Sequence, residues 1–285
     1  MFLLAPALAG SCDCSRLRRL ERCVPPPPWR NAAHARRSPL KCAAVADEGS
    51  PPADASLASS VLPRVPRART RLHINPLSEE LLKALPPPDW LTALRDPGLP
   101  LHVDLGCAYG EFVQALAERD AGCNYVGVDL RERVLTRAGA LRAANVAFLF
   151  ANARADAFLE SLLASYPGQL RCVSCLFPDP WTQARYTRRR LLQPALVAAV
   201  AGRLVPGGAF VTATDNAELA EEMRAPFIAE PAIWEPGNSA AASDGWDSCS
   251  PFPVATQWEC TVRGRGSRMY WARYVRTAAR TNAAT

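Results

Sequence analysis

The chain has 285 residues, 49% of them hydrophobic, which is enough for one sizeable domain with an appendage. No run approaches the roughly 20 uninterrupted apolar residues of a membrane-spanning helix, so we expect a soluble protein. The net charge of +6 is weak evidence for a nucleic-acid partner, because all but two of the 33 basic residues are arginine, which indicates a general compositional bias.

Residues 1–46 have the composition of an organellar transit peptide. Arginine and alanine are frequent, a proline run occupies Pro25–Pro28, and the only acidic residues are Asp13 and Glu21. A secretory signal is the rival interpretation because Phe2–Leu8 is apolar. This run precedes every basic residue, however, which is the reverse of the secretory order. We therefore expect a protein that is imported into an organelle.

The rest of the N-terminal part divides into further segments. Lys41–Ala46 is typical of a plastid processing region, so a plastid is the expected location and a mitochondrion the alternative. Residues 47–66 are rich in Pro, Ala and Ser and indicate a linker. Residues 67–98 form an N-terminal arm ahead of a domain that spans 99–285.

From about Leu99 strands and helices alternate, which predicts a parallel sheet with helices on both faces. The expected strands lie near 102–106, 124–129, 146–151, 170–177 and 208–214. The expected helices lie near 110–119, 132–144, 154–165, 188–204 and 216–228. Two late runs, Trp258–Arg263 and Arg268–Arg276, alternate around a Gly264–Gly266 turn and indicate an antiparallel hairpin at the sheet edge. This is the Rossmann-like α/β layout of class I S-adenosylmethionine-dependent methyltransferases.

Ten cysteines raise the question of a disulfide or metal scaffold, but four lie in the leader and the other six are scattered. Cys172 and Cys175 form a C-x-x-C pair within a predicted strand, where positions three apart face opposite sides of the sheet. No second pair and no nearby histidine accompany them. We interpret both as ordinary buried thiols and expect no metal site.

The first predicted strand ends in a glycine-containing turn. Asp104 is followed by Gly106 and Gly110, and a helix begins at once. Such glycines let a ligand approach the backbone, and the ligand lies at the carboxyl ends of the strands. The second strand ends in Asp129, about 20 residues after the glycines, where a carboxylate accepts hydrogen bonds from both hydroxyls of a ribose.

Two cofactors share this pattern, and the turn decides between them. A dinucleotide site requires G-x-G-x-x-G, but Ala108 holds the middle position here. A carboxylate at Asp104 repels a pyrophosphate and suits the ammonium and sulfonium groups of S-adenosylmethionine. We therefore favour a methyltransferase over a dehydrogenase and over a purely structural turn.

Asn152 follows the third predicted strand. Class I methyltransferases often place a polar side chain there, against the adenine amino group of the cofactor. An asparagine also suits the N-cap of the next helix, and both interpretations remain open.

The segment 177–181, FPDPW, follows the fourth strand at the usual position for chemistry in this fold. Prolines on both sides of Asp179 restrict the backbone and hold the carboxylate in a fixed direction. Four arginines follow within residues 185–190 and are expected to open a helix. The macrodipole disfavours cations at a helix N-terminus, so helix stability does not explain the presence of these arginines. Binding to phosphates would explain it. A solvated helix start is the alternative.

With these motifs in place, the sequence closely resembles the bacterial-type tRNA (guanine-N7-)-methyltransferases, especially their cyanobacterial and plastid branch. The resemblance extends over about Arg69 to Tyr274. FPDPW followed by an arginine-rich run is its most specific feature. Weaker matches occur at 73–78, Asp104–Gly110, Gln193–Pro194, Thr214–Asp215 and 251–259.

The resemblance implies roles for individual residues. The cofactor pocket would be formed by Asp104, Gly106, Gly110, Asp129, Asn152 and Asp179, and Asp179 would also be the catalytic acid. Contacts to RNA are implied for Gln183, Arg185, Arg188, Arg189 and Arg190. Contacts to the substrate guanosine are implied for Asp215, Thr256 and Glu259. Two positions depart from the family, because Gln183 replaces a usual lysine and Tyr186 a usual histidine. These departures leave the strength of the RNA contact open.

The implied reaction transfers a methyl group from S-adenosylmethionine to N7 of a guanine in tRNA, at position 46 of the variable loop. N7 carries an in-plane lone pair and needs no general base, which agrees with a chain of only three histidines. No obligatory protein partner and no membrane are implied, and the chain would be a monomer or a homodimer. The alternatives are a methyltransferase for another RNA or a small molecule, and a catalytically silent RNA-binding module.

Overall fold

The computed structural model describes residues 74–83, 86–140, 142–153, 162, 164–237 and 244–278, all within a unit that spans 65–285. The expected transit peptide and linker lie outside these residues, and so does most of the expected helix 154–165. None of the described helices combines the length and the apolar character that crossing a membrane requires.

A seven-stranded sheet forms the centre of the described part. Its strands in chain order are β1 (Leu101–Leu105), β2 (Asn124–Asp129), β3 (Val146–Phe150), β4 (Leu170–Leu176), β5 (Leu204–Thr214), β6 (Trp234–Pro236) and β7 (Tyr270–Arg276). The order across the sheet is β3-β2-β1-β4-β5-β7-β6. Neighbours among β1 to β5 are parallel, whereas β7 is antiparallel to β5 and β6. The order reverses between β1 and β4, which places a ligand crevice at the carboxyl ends of these strands.

Helices cover both faces of the sheet. They are α1 (Trp90–Ala93), α2 (Glu111–Arg119), α3 (Glu132–Gly139), α4 (Pro194–Arg203), α5 (Ala217–Ile228) and α6 (Gln257–Gly264), with a 3₁₀ helix at Ala184–Arg189. Strands β1 and β2 are buried along their whole length, as central parallel strands between two helical layers should be. Helix α2 buries Phe112, Val113 and Leu116, which recur at helical spacing and form its inner face.

The predicted α/β fold with five parallel strands and antiparallel C-terminal strands is confirmed. The predicted hairpin arm Trp258–Arg263 is wrong, because this segment lies in α6 and β7 pairs with β6 instead. The side chain of Thr256 caps the helix by accepting a hydrogen bond from the backbone N–H of Glu259 at 3.0 Å. The buried residues Glu259 and Val262 lie three apart, which is the spacing of a helix rather than a strand.

The helix predicted for 188–204 begins later than expected, at Pro194. Proline is favoured in the first turn of a helix, since its missing N–H would have no partner there. The arginines of 185–190 therefore lie in and just after the separate 3₁₀ helix and do not open α4. The macrodipole argument for phosphate binding consequently does not apply to them.

Cys172 and Cys175 lie on opposite faces of β4. Cys175 belongs to the larger core cluster, while Cys172 packs against a cluster on the other face. Both are free thiols, and burial raises the pKa of both, which keeps them protonated. The interpretation as a buried structural thiol is confirmed for Cys175, whereas Cys172 is half-buried. Within the described ranges, no three His, Cys, Asp or Glu side chains are grouped as a metal site would require.

Candidate active site

An open cavity of about 660 Å³ lies at the carboxyl ends of β1 to β4. Its walls come from these strand ends, from the N-terminal arm and from the start of α6. The lining includes predicted site residues from distant parts of the chain, namely Asp104, Gly106, Asp129, Asn152, Asp179, Arg189 and Thr256. It also includes residues to which the sequence assigned no role in the site, among them Ile74, Pro76 and Arg131.

The turn between β1 and α2 presents backbone to this cavity. Gly106 and Gly110 have φ values of 84° and 70°, in the region that favours glycine. A Cβ at Gly106 would meet only the side chain of Leu191, at 3.9 Å, so this position opens onto the cavity. A Cβ at Gly110 would overlap the ring of Phe148, at 2.2 Å. Gly106 thus allows a ligand to approach, whereas Gly110 allows the turn to pack on β3.

Asp104 is held at the end of β1 by a chain of buried polar side chains. The hydroxyl of Ser174 donates to Oδ1 of Asp104 at 2.6 Å, and Oγ of Ser174 lies 2.9 Å from Nε2 of His102. When Asp104 is ionised, the hydroxyl proton of Ser174 goes to the carboxylate, and Nε2 of His102 then donates to Ser174. Burial raises the pKa of Asp104 to about 7 and lowers the pKa of His102 to about 3. Asp104 therefore titrates near neutral pH beside a neutral imidazole.

Asp129, at the end of β2, accepts four hydrogen bonds. The backbone N–H groups of Ala108 and Arg131 each donate at 2.9 Å, which ties the strand end to the glycine turn. The guanidinium of Arg131 donates through Nε at 2.9 Å and through Nη2 at 3.0 Å. Ribose hydroxyls would therefore compete with Arg131 for this carboxylate. Sequence reasoning missed Arg131, whose only signal is its position two residues after the acid.

Asn152 fastens the N-terminal arm to the cavity. Its buried side-chain amide donates to the backbone carbonyl of Pro76 at 2.7 Å. Pro76 and Ile74 in turn line the cavity. The sequence did not foresee this contact, and the adenine contact stays a prediction. The alternative of a helix N-cap lies outside the described residues, because 154–160 are not described.

The FPDPW segment forms a strained loop after β4. Phe177 and Trp181 have φ values of 51° and 42°, which non-glycine residues rarely adopt and which cost on the order of 1–3 kcal/mol each. Asp179 lies between them, exposed at the rim of the cavity. Strain of this kind persists only where the surrounding structure fixes the backbone. The loop thus holds the predicted catalytic carboxylate in a defined place.

The 3₁₀ helix after this loop, which we call the basic turn (Ala184–Arg189), carries stacked cations. The guanidinium groups of Arg185 and Arg189 lie 4.6 and 4.3 Å from the ring centre of Tyr186. Arg189 also lies 5.1 Å from the ring centre of Trp181. The side chain of Gln183 accepts a hydrogen bond from Nε of Arg185 at 3.1 Å. Tyr186 and Gln183, the two departures from the family, therefore orient arginines.

Arg190 differs from the other arginines of the run and corrects the prediction made for it. Only 4% of it is exposed, its Nε donates to the carbonyl of Pro180 at 2.7 Å, and it pairs with Glu222 on α5. A guanidinium enclosed in this way is not presented to RNA phosphates. Arg185 and Arg188 are exposed, as predicted, and Arg189 is half-buried at the cavity.

The three residues implied to meet the guanosine have separate environments. Thr256 lines the cavity. Asp215 is exposed and is not among the residues that line it. Glu259 is only 1% exposed and pairs with Nη2 of Arg263 at 2.6 Å. Because so buried a carboxylate is not presented at the cavity surface, the direct substrate contact implied for Glu259 is not found.

The residues present fit S-adenosylmethionine. The cavity volume lies within the range of about 300–1,000 Å³ that is usual for ligand sites. Gly106 leaves open space beside its backbone, where a side chain would otherwise narrow the approach. Asp104 and Asp129 supply carboxylates at adjacent strand ends, which suit a cationic ligand with a ribose.

A cavity of this kind, at the reversal point of a parallel sheet that continues into antiparallel strands, defines a class I S-adenosylmethionine-dependent methyltransferase. A family profile described as "Putative methyltransferase" matches residues 99–270. Among solved structures, the 16S rRNA methyltransferase KamB matches with a TM-score of 0.43 and 13% identity, over 63% of this chain and 88% of that chain.

Cyanobacterial relatives specify the family. The tRNA (guanine-N(7)-)-methyltransferase of Nostoc sp. is 36% identical over 219 residues, which are 75% of this chain and 97% of the relative. That of Synechocystis sp. is 38% identical over 198 residues, which are 68% of this chain and 90% of the relative. The chain belongs to the tRNA (guanine-N7-)-methyltransferase family.

Proposed function

We propose that this chain methylates N7 of the variable-loop guanine in plastid tRNA, with S-adenosylmethionine as the methyl donor. One observation carries the substrate assignment: Arg189 and Asp179 line the same cavity as Asp104 and Asp129. Carboxylates suited to the cofactor and cations suited to RNA phosphates therefore meet at one opening. A methyltransferase for small molecules has no need of this arrangement.

Methyl transfer to N7 requires the protein to position the two reactants and to stabilise the developing positive charge. S-adenosylmethionine, when bound, supplies an electrophilic methyl group on a sulfonium. Asp104 would hold its cationic part and Asp129 its ribose. Because guanine N7 is nucleophilic without deprotonation, the protein has only to align the base and to stabilise the positive charge that grows on it. The carboxylate of Asp179, exposed at the rim, suits that second task.

The RNA-facing side follows from the exposed arginines. A guanine in folded tRNA has to leave its stack to reach a cavity at strand ends. Contacts from Arg185 and Arg188 to phosphates would select tRNA by shape rather than by base sequence. Arg189, which stacks on Trp181 and lines the cavity, would act closest to the target nucleotide.

Location and assembly belong to the same proposal. The composition of residues 1–46 supports import into a plastid, with a mitochondrion as the alternative, and the similarity to cyanobacterial relatives agrees with a plastid. We propose that the chain works without an obligatory protein partner, as a monomer or a homodimer. Size-exclusion chromatography with light scattering, on the active protein, tests the assembly.

Methylation mapping tests the reaction. The full chain is incubated with labelled S-adenosylmethionine and unmodified plastid tRNA, and methylated guanines are located by reductive cleavage at N7-methylguanine. We expect one site, in the variable loop. Methylation of ribosomal RNA or a small metabolite in place of tRNA would support the alternative methyltransferase. Binding of S-adenosylmethionine with no transfer to any RNA would overturn the proposed reaction.

A further inference from the structure

Arg190 contacts the backbone of the loop that carries Asp179. Its Nε donates to the carbonyl of Pro180 at 2.7 Å and its Nη2 to the carbonyl of Trp181 at 3.4 Å. These are the two residues that follow Asp179 in the chain. The planar guanidinium can serve two carbonyls at once, which the compact ammonium of a lysine does with less directional control.

The same side chain is anchored to a second element. Glu222 on α5 forms an ion pair with Arg190, and only 5% of the arginine side chain is exposed against 46% of the glutamate. The backbone of Arg190 is fixed as well, because its N–H donates to the carbonyl of Thr187 at 3.0 Å and its carbonyl accepts from Nε2 of Gln193 at 3.1 Å. Arg190 thus joins the loop, the basic turn and the start of α4.

The contact between Arg190 and the loop lies next to two cavities. A second cavity of about 800 Å³ lies between α4 and α5, and Arg190 and Glu222 line it. Asp179 borders both this cavity and the cofactor cavity. Arg190 is not among the residues that line the cofactor cavity, so it contacts the loop from the side of the second cavity.

We propose that Arg190 and Glu222 form a clamp that positions Asp179 at the cofactor cavity. Arg190 is then a positioning residue for methyl transfer and not an RNA contact. The strained backbone at Phe177 and Trp181 agrees with this role, since such geometry needs external fixation. The proposal deepens the proposed function and rests on it for its kinetic consequence, but the fixing of the loop is independent of the substrate.

The kinetic test compares Arg190→Lys and Glu222→Gln with the unmodified full chain. In single-turnover methyl transfer to tRNA, we expect Arg190→Lys to be slower by about 10- to 100-fold, because small misplacements of reacting groups have effects of this size. The affinity of the variant for tRNA should stay within about twofold of that of the unmodified chain, and the slope of log affinity against log salt should be unchanged. Arg203→Lys, an exposed arginine at the end of α4, is the matched control and should behave as the unmodified chain.

A second measurement needs no substrate. Hydrogen exchange of the backbone amides within 177–183 should be faster in Arg190→Lys and also in Glu222→Gln. If one of the two variants does not fold, the other still tests the proposal. Unchanged exchange in a folded variant overturns the proposal, and so does a weaker tRNA affinity with a shallower salt slope. If the unmodified chain methylates no tRNA but exchange rises in both variants, the proposed function fails and the clamp stands.

Discussion

Asp129 is the residue at which cofactor recognition is most directly measurable. Replacing it with alanine removes the carboxylate that would accept the ribose hydroxyls, so we expect S-adenosylmethionine to bind more weakly by about 1–3 kcal/mol. Affinity for tRNA should hardly change. Isothermal titration of both ligands checks this. Equal losses for both would show that Asp129 supports the fold around Arg131 rather than the ribose.

If Asp104 holds the cationic part of the cofactor, as proposed, it should give cofactor binding a pH dependence. Its pKa is raised to about 7, so the carboxylate is ionised above pH 7 and increasingly protonated below it. A cationic ligand prefers the ionised form, and binding below pH 7 must release a proton. We expect the affinity for S-adenosylmethionine to be level above pH 7 and to fall by up to about tenfold per unit below it. His102, with a pKa of about 3, stays neutral throughout and contributes nothing.

The matched control for this profile is Asp104→Asn, which should bind weakly at every pH. Titrations between pH 5.5 and 8.5 on both proteins decide the matter. A profile for the unmodified chain that is flat through pH 7 would assign the cation contact to another group.

Asp179→Asn separates catalysis from binding. The substitution keeps the shape of the side chain and removes the negative charge that would face the developing purinium. We expect the single-turnover rate of methyl transfer to fall by on the order of tenfold or more, with tRNA affinity nearly unchanged. An unchanged rate would leave Asp179 as a loop-forming residue only.

Single residues show where sequence reasoning succeeds and where it stops. Asp104 and Asp129 lie at the carboxyl ends of strands and Asp179 follows one. Parallel strands bring these ends to one edge of the sheet, so the convergence of the three residues was predictable. Ser174 and Arg131 were missed because their roles depend on hydrogen bonds to Asp104 and Asp129 that the sequence pattern does not reveal. Ser174 is paired with Asp104 only through the register of β1 against β4.

At the scale of elements, the basic turn distinguishes an RNA surface from a merely solvated one. Replacing the exposed Arg185 and Arg188 with glutamine should weaken binding to all tRNAs to a similar extent. The slope of log affinity against log salt should become shallower by roughly 0.7 to 0.9 for each phosphate contact removed. Affinity for S-adenosylmethionine should stay constant, since Asp104 and Asp129 are unaltered.

The comparison for this double variant is Arg203→Gln, which removes an exposed arginine outside the basic turn. Filter binding at several salt concentrations provides the slopes. If the double variant keeps the slope of the unmodified chain, the turn makes no phosphate contacts and the charge run only solvates the surface.

Two elements escaped prediction for a shared physical reason. In Trp258–Arg263 the apolar residues alternate, but a threonine cap and packing of Val262 against β-sheet residues select a helix. In 185–190 the four arginines favour a helix, but this segment forms a separate 3₁₀ helix and α4 begins only at Pro194. In both cases tertiary contacts and caps outweigh a local pattern.

For the whole molecule, the proposed boundary between a leader and the enzyme is testable. Residues 1–60 lack the periodic apolar pattern of a packed element, so a chain that begins at Val61 should keep the melting temperature and the methylation rate of the full chain. Thermal unfolding and single-turnover assays measure both. A shortened chain that folds but loses activity would show that the leader takes part in catalysis.

The bond between Asn152 and Pro76 has a further consequence for maturation. Since Ile74 and Pro76 form part of the cofactor cavity, the cavity is complete only in chains that retain these residues. If the proposed import signal is removed by a protease, the cut would have to lie upstream of Ile74, because a later cut would remove part of the cavity wall. The requirements of catalysis, and not those of import, would then set the latest point at which the precursor can be trimmed.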